Sequence, residues 1–280
     1  MKRKTATTSK GNGRALSAVI LVCVAAFALA AWGIAAICGK LAETYERQCC
    51  VTDSGEQIEI TGGKVIEPRL IVNHFGLTNG VNLAHVDFPK LRDRLLECAP
   101  NIRDIRITRR LPNFVRIEVI ERIPVARVIG HGADASKNNV ADREGVIFWY
   151  PRKLTALLPI IRETKKNAVA NGKSLSGMAL AALHLLQEAS APEYDVLKIQ
   201  EVETFKPDYV LATLGDSSRA KIAWEDMDKP SRASRISLTN QLARLTSVVK
   251  CNVAAGTKLW NATDWHTPSR IYADDPTKVE

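Results

Sequence analysis

The sequence predicts an α+β protein in which one transmembrane helix precedes two folded domains outside the cytoplasm. The first observation is an uncharged run from Ala15 to Cys38. The second is a pair of helical patterns followed by two alternating strand patterns, all within residues 58–128. The third is a series of short strand patterns with two more helices at 129–273. Helices covering one face of a sheet are typical of the α+β class.

The run from Ala15 to Cys38 is long enough to cross a bilayer. As a helix at about 1.5 Å per residue it would extend for roughly 36 Å, against a hydrocarbon core of about 30 Å. Its Leu, Ile, Val and Phe side chains each favour insertion by about 0.3–0.6 kcal/mol near the helix centre. We therefore predict a transmembrane helix at 15–38, and the rest of the chain holds no second run of this kind.

The flanking charges predict the orientation of this helix. More than half of the net charge of +9 lies in a basic tail at 1–14. Because positive charge is retained in the cytoplasm, residues from about 40 onward should lie outside it. A cleaved signal peptide is the alternative, since the run 28–30 has the small-x-small form of a cleavage site. Signal peptides usually have shorter apolar regions of about 7–15 residues, which favours a retained anchor.

Residues 58–128 are predicted to form the first exported domain, after a linker or helical extension at 39–57. The run 58–60 has the pattern of a short strand, and Gly62 ends it. Two helices should follow. Pro68 suits the first turn of one helix, with Leu70, Ile71 and Phe75 on its buried side.

The second helix and two strands complete this predicted domain. Asp87 is a good N-cap for the helix, which Pro100 ends. Strands at 103–110 and 115–120 alternate their two faces on either side of a turn at 111–113, which predicts a sheet with one dry face and one wet face.

Three runs within this region resemble a known family. They are GVNL at 80–83, PNI at 100–102 and the ending RRLPNFVRIEVIERIPVA at 109–126. Together they resemble the POTRA domain of the bacterial cell-division family FtsQ/DivIB. The ending is the most specific of the three, especially behind an N-terminal span, and the resemblance covers about a quarter of the chain.

Residues 129–273 are predicted to form a β-rich domain with flanking helices, followed by a tail at 274–280. Helices are expected at 176–191 and at 234–249, and the latter should bury Ile236 and Leu242. The opening of this region is similar to the second domain of the same family. Strands are expected at 139–149 as a hairpin, and at 195–203, 209–214, 219–224, 258–264 and 269–273.

The resemblance implies a non-enzymatic, bitopic scaffold of the division machinery (the divisome) that recruits and links division proteins during septum formation. The known partners of the family are the small bitopic proteins FtsB and FtsL, with the septal peptidoglycan synthase complex downstream. It also implies a place in the inner membrane at the septum, no cofactor and no small-molecule substrate.

The resemblance also predicts a partner contact, because the family uses the end of its second domain. An exposed edge strand is a template for an extended segment of a partner. We therefore expect the contact at Lys258–Tyr272; alternatively, these aromatic residues pack the core of their own domain. The candidate anchors are Trp260, Asp264, Trp265, Ile271 and Tyr272.

A cluster of arginines in the first domain is a second candidate surface. It could bind an acidic partner or lipid headgroups, although the sequence favours a solvated sheet face. A nucleic-acid function is excluded by the compartment and because aromatic residues are not interleaved with the charges. The candidate residues are Arg103, Arg106, Arg109, Arg110 and Arg116.

Two other classes of function remain as alternatives. One is a POTRA-bearing protein of outer-membrane assembly or secretion, which the lack of a long series of barrel strands disfavours. The other is an anchored exported enzyme. The sequence has no G-x-S-x-G or H-E-x-x-H motif, and His184 is expected to be a half-buried helix residue rather than a metal ligand.

Overall fold

The computed structural model describes residues 12–110, 112–130, 138–163, 170–251, 258–266 and 271–273, without the side chains of residues 12–20, 22, 23, 152, 272 and 273. Most of the predicted cytoplasmic tail, the turn residue Leu111, part of the last predicted strand and the tail 274–280 lie outside the described residues.

The chain begins with one long helix, α1 (Asn12–Gln48). Alanine and leucine, which favour helix, dominate its first part. Its portion Val24–Gln48 is long and apolar enough to cross a membrane, and it is not buried inside the protein. The helix contains the predicted span 15–38 and continues through residues 39–48 without interruption.

The next region has the predicted order of strand, helix, helix, strand, strand, preceded by one additional helical turn. Its three strands form one sheet in the order β1-β3-β2. The elements are α2 (Ser54–Gln57), β1 (Ile58–Thr61), α3 (Pro68–Phe75), α4 (Phe88–Cys98), β2 (Ile102–Arg110) and β3 (Phe114–Glu121).

Burial within these elements follows the predicted periodicity with one exception. Val115, Ile117 and Val119 of β3 are all buried, as alternation requires. The expectation that α3 buries Leu70 is wrong, because that side chain is 61% exposed. Ile71 and Phe75 are buried as predicted, and they lie four residues apart and therefore on one side of the helix.

The rest of the chain forms a nine-stranded sheet with two helices. Its strand order is β12-β11-β10-β9-β8-β7-β4-β5-β6. The strands are β4 (Pro124–Gly130), β5 (Asn139–Asp142), β6 (Ile147–Trp149), β7 (Ile160–Glu163), β8 (Glu201–Glu203), β9 (Val210–Thr213), β10 (Arg219–Ile222), β11 (Leu259–Ala262) and β12 (Tyr272–Ala273). The helices are α5 (Met178–Ala189) and α6 (Arg232–Cys251). The α+β class predicted from the sequence is thus confirmed.

The main core lies between this sheet and its two helices. Leu183 of α5 and Leu238, Leu242 and Leu245 of α6 are almost completely buried in it. The prediction that Ile236 is buried is wrong, since 52% of this residue is exposed. Helical periodicity explains the difference, because the leucines at 238, 242 and 245 define the buried face and residue 236 lies on the opposite one.

By backbone proximity the described chain divides into two compact units. The first holds the chain up to Glu59, together with Phe75–Asp87 and Ile107–Arg116. The second holds Ile60–His74, Phe88–Arg106 and the chain from Ile117 onward. Strand β4 belongs to the nine-stranded sheet and crosses residue 128, where the sequence predicted the end of the first exported domain.

Candidate partner-binding surfaces

One edge of the nine-stranded sheet is β12, a strand of two residues. It pairs antiparallel with β11, with Tyr272 opposite Asn261 and Ala273 opposite Trp260. No strand among the described residues lies on its other side. Edge strands expose backbone N–H and C=O groups that can pair with an extended segment. This end of the sheet therefore has the geometry that strand addition requires.

Helix α6 is bonded through Gln241 to the two strands that precede the edge strand in the sheet. The Gln241 carboxamide is 1% exposed, and its Nε2 donates to the carbonyl oxygens of Ala223 (3.1 Å) and Ala262 (3.2 Å). These carbonyls lie at the ends of β10 and β11, which run parallel to each other. One buried side chain thus ties β10 and β11, the two strands next to the edge strand, to the helix behind them.

The predicted anchors near this edge differ in accessibility. Trp260 is 6% exposed and belongs to the main core, so for this residue the structure favours the alternative that it packs its own domain. Trp265 is half-buried, packs against the same core and stacks on His266 with ring centroids 3.5 Å apart. Ile271 is also half-buried against that core.

The remaining two candidates lie in the same stretch. Asp264 is half-buried two residues after β11. Tyr272 belongs to the edge strand itself by its backbone, and its side chain is outside the described atoms. Asp264, Trp265, Ile271 and Tyr272 therefore remain predicted contact residues at one end of the sheet.

Most of the candidate arginines are engaged within their own region. Arg110 lies over the ring of Phe114 at 5.9 Å, and Arg109 donates from a terminal nitrogen to the carbonyl oxygen of Leu83 at 3.1 Å. The other three face carboxylates: Arg103 faces Glu144, Arg106 faces Glu118 at 3.8 Å, and Arg116 faces Glu59 at 2.8 Å. Arg103, Arg106 and Arg116 are therefore at least partly neutralised where they lie.

Glu121, at the end of β3, organises the loop that follows β1. Its carboxylate accepts three backbone N–H bonds, from Lys64 (2.8 Å), Val65 (3.0 Å) and Ile66 (2.9 Å). Three donors converging on one carboxylate fix the course of a loop that has no regular structure of its own. Glu121 is therefore a structural residue rather than an exposed binding group.

Arg122 and Asp142 form a largely buried ion pair. The Arg122 side chain is 16% exposed and contacts the Asp142 carboxylate, 6% exposed, at 2.5 Å. It also lies 3.1 Å from Glu144 and donates to the carbonyl oxygen of Pro100 at 3.1 Å. The structure thus brings two carboxylates together, but both face arginines, which favours a structural ion-pair network over acid–base catalysis.

A cavity of about 430 Å³ lies between α5 and α6 and is lined in part by His184 and Trp224. Burial lowers the pKa of His184, and the nearby Glu188 partly opposes this effect. Glu188 is itself paired with Arg235 at 2.6 Å. His184 is thus the half-buried helix residue that the sequence predicted, and within the described part of the chain no group of three His, Cys, Asp or Glu side chains could hold a metal ion.

Comparison with known families identifies the region between α1 and the large sheet. Residues 54–122 match the family model of the POTRA domain, FtsQ-type. The chain carries an FtsQ-type POTRA domain. This domain behind an N-terminal apolar helix is consistent with an FtsQ/DivIB family protein. No curated protein matches the chain.

The POTRA domain ends at Arg122, so its last two residues are Glu121 and Arg122. Sequence reasoning recognised both as part of the family-specific ending, and it counted Arg122 among the arginines that could bind an acidic partner or lipid headgroups, but it did not identify the partners of either residue. The structure shows that one fixes a loop of the POTRA region and the other bonds to Asp142 beyond its end. In the sequence, these two residues are visible only as a glutamate and an arginine at the end of an alternating strand. That pattern does not indicate which distant residues they contact.

Proposed function

We propose that this chain is a non-enzymatic, single-pass scaffold of the bacterial division machinery. The FtsQ-type POTRA domain behind an apolar helix is the observation on which the proposal rests. Such a domain indicates a division-associated protein that acts through protein–protein interactions. The scaffold would lie in the inner membrane at the septum, with its N-terminus in the cytoplasm and its bulk outside.

The partner contact is proposed at the β12 edge of the large sheet. An FtsB- or FtsL-like bitopic protein would add an extended segment to this edge, and the septal peptidoglycan synthase complex would act downstream. Asp264, Trp265 and Ile271 lie beside the edge and are partly accessible. Backbone pairing would supply affinity, and these side chains would supply specificity.

Crosslinking in living cells tests this contact. A photoreactive amino acid at Tyr272, on the β12 edge, should crosslink to one small bitopic division protein. The matched control is Trp149, which lies on the opposite edge strand β6 and is 53% exposed. Crosslinking at 149 and not at 272, or equal crosslinking of the same partner at both, would contradict the proposed contact.

A further inference from the structure

The sheet of the POTRA domain has a free edge at β2, its longest strand. Strand β2 spans Ile102–Arg110 and, among the described residues, pairs on one side only, with β3. An edge of this length exposes more backbone N–H and C=O groups than the two-residue strand β12 does, and such an edge is a template for an extended segment. Unless it is blocked, β2 therefore competes with β12 for any partner that binds by strand addition.

The alternation of side chains is interrupted in the first half of this strand. Ile102 and Ile105 are both almost completely buried although they lie three residues apart. In a regular strand, residues that share a face lie an even number of positions apart. An irregularity of this kind is typical of a β-bulge, which re-aims the side chains beside it. Asp104 lies between the two isoleucines, so its side chain is able to turn toward the backbone of its own strand.

The backbone of Ile105 is bonded to two side chains that do not belong to β3. Its N–H donates to Oδ1 of Asp104 at 2.8 Å, and its carbonyl oxygen accepts from Nε of Arg92, a residue of α4, at 3.0 Å. The N–H and C=O groups of one strand residue point to the same side of the strand. Because both bonds come from side chains outside β3, we place these two groups on the side of β2 that faces away from β3, which is the free edge.

Arg92 and Asp104 also bond to each other. A terminal nitrogen of Arg92 donates to Oδ1 of Asp104 at 2.6 Å, so the planar guanidinium bonds the carboxylate and the Ile105 carbonyl oxygen at the same time. The bonds from Arg92 and from the Ile105 N–H lower the pKa of Asp104, so its carboxylate stays charged at neutral pH. A donor and an acceptor are thus held opposite Ile105, where a neighbouring strand would place its own.

We propose that Arg92 and Asp104 close the free edge of the POTRA sheet to strand addition, so that an extended segment of a partner is directed to β12 instead. An incoming segment would have to displace both side-chain bonds before it could pair with Ile105. Bulges and charged side chains are among the features by which edge strands avoid unwanted pairing. The closure does not depend on the identity of the partner, and only its consequence for partner choice rests on the proposed function.

Peptide binding to the full chain in detergent micelles tests this closure. The probe is a short peptide in which glutamate and valine alternate, since its carboxylates complement the exposed arginines of β2. The double variant Arg92→Ala, Asp104→Ala should bind the peptide about tenfold more tightly than the unchanged chain does, because two backbone groups become available for pairing. The peptide should slow backbone hydrogen exchange across residues 102–110 in this variant and not in the unchanged chain.

The chain offers a matched control in the double variant Arg106→Ala, Glu118→Ala. It also removes one positive and one negative charge from the POTRA region, but these two side chains face each other at 3.8 Å across β2 and β3. The control should bind the peptide no more tightly than the unchanged chain does. The same gain in the control and in Arg92→Ala, Asp104→Ala would overturn the assignment of the closure to Arg92 and Asp104.

Equal slowing of exchange across 102–110 in the unchanged chain and in the double variant would show that the edge is open without any substitution, and it would overturn the closure. Both side chains of the pair are 39% exposed, so the double variant should remain folded, which unchanged exchange at Val115 and Ile117 verifies. Arg92→Lys is a milder second variant that keeps the charge but loses the planar guanidinium, and it should give a smaller gain. No gain in either variant would also overturn the closure.

The crosslinking experiment at Tyr272 tests the β12 contact separately. If the closure fails there is still a contact to be found at Tyr272, whereas if the proposed function fails the edge of β2 is still closed. The two failures are therefore distinguishable.

Discussion

Replacing Arg122 by alanine should lower the free energy of unfolding by about 3–5 kcal/mol, the range expected when one partner of a buried ion pair is removed. Asp142 is only 6% exposed at its side chain and would lose the cation that lies 2.5 Å away. The Arg122 bond to the carbonyl oxygen of Pro100 would be lost as well. Urea unfolding of the full chain in detergent, followed through the buried Trp224 and Trp260, measures the change.

The chain offers a matched control for this substitution in Arg103. Arg103 also faces Glu144, but its side chain is 59% exposed. Solvent-exposed ion pairs contribute only about 0–1 kcal/mol, so Arg103→Ala should have a small effect. Similar losses for Arg103→Ala and Arg122→Ala would contradict the view that burial of the Arg122–Asp142 pair makes it structurally important.

Substituting Gly62 by alanine should destabilise the protein by about 2–5 kcal/mol, from backbone strain together with steric overlap. Gly62 has φ +83°, and an added Cβ would lie 2.2 Å from the carbonyl oxygen of Val119. That oxygen belongs to the backbone of β3 and cannot rotate away, so the strand or the turn must move. The same urea titration measures the loss.

Gly145→Ala is the control that separates the steric overlap at Gly62 from the backbone strain of an alanine at positive φ. Gly145 has φ +82°, nearly identical to Gly62, but its added Cβ would make an ordinary contact of 3.5 Å with Leu180. Only the strain of a left-handed alanine remains, at about 1–2 kcal/mol. If Gly62→Ala lowers the free energy of unfolding by no more than Gly145→Ala does, the close approach of the turn to β3 is not important for stability.

The local elements could be predicted because their signals lie within a few residues of each other. The alternation of Val115, Ile117 and Val119 identified β3, and helical spacing with nearby prolines identified α3 and α4. The FtsQ-type POTRA domain was recognisable for the same reason, since its most specific signal is one short ending around Glu121 and Arg122. Errors in this region concern which side chain of a helix is buried, as at Leu70.

Pairings between distant parts of the chain could not be predicted. Strand β4 joins β5 and β7, so a run that resembles the end of the POTRA domain becomes a strand of the large sheet. The burial of Trp260 could not be predicted either, since it depends on the pairing of β11 with β10 and on the core that the sheet forms with its helices. Periodicity gives the faces of an element but does not say which element covers each face.

The position of the protein in dividing cells tests the proposed scaffold most directly. A fluorescent fusion to the N-terminus, followed through one division cycle, should gather in a band at midcell before constriction is complete. A variant in which Trp149 is replaced by alanine serves as a control that leaves the β12 edge unaltered and should show the same band. A uniform peripheral signal throughout the cycle would contradict the division role and leave a membrane-anchored POTRA protein with another function.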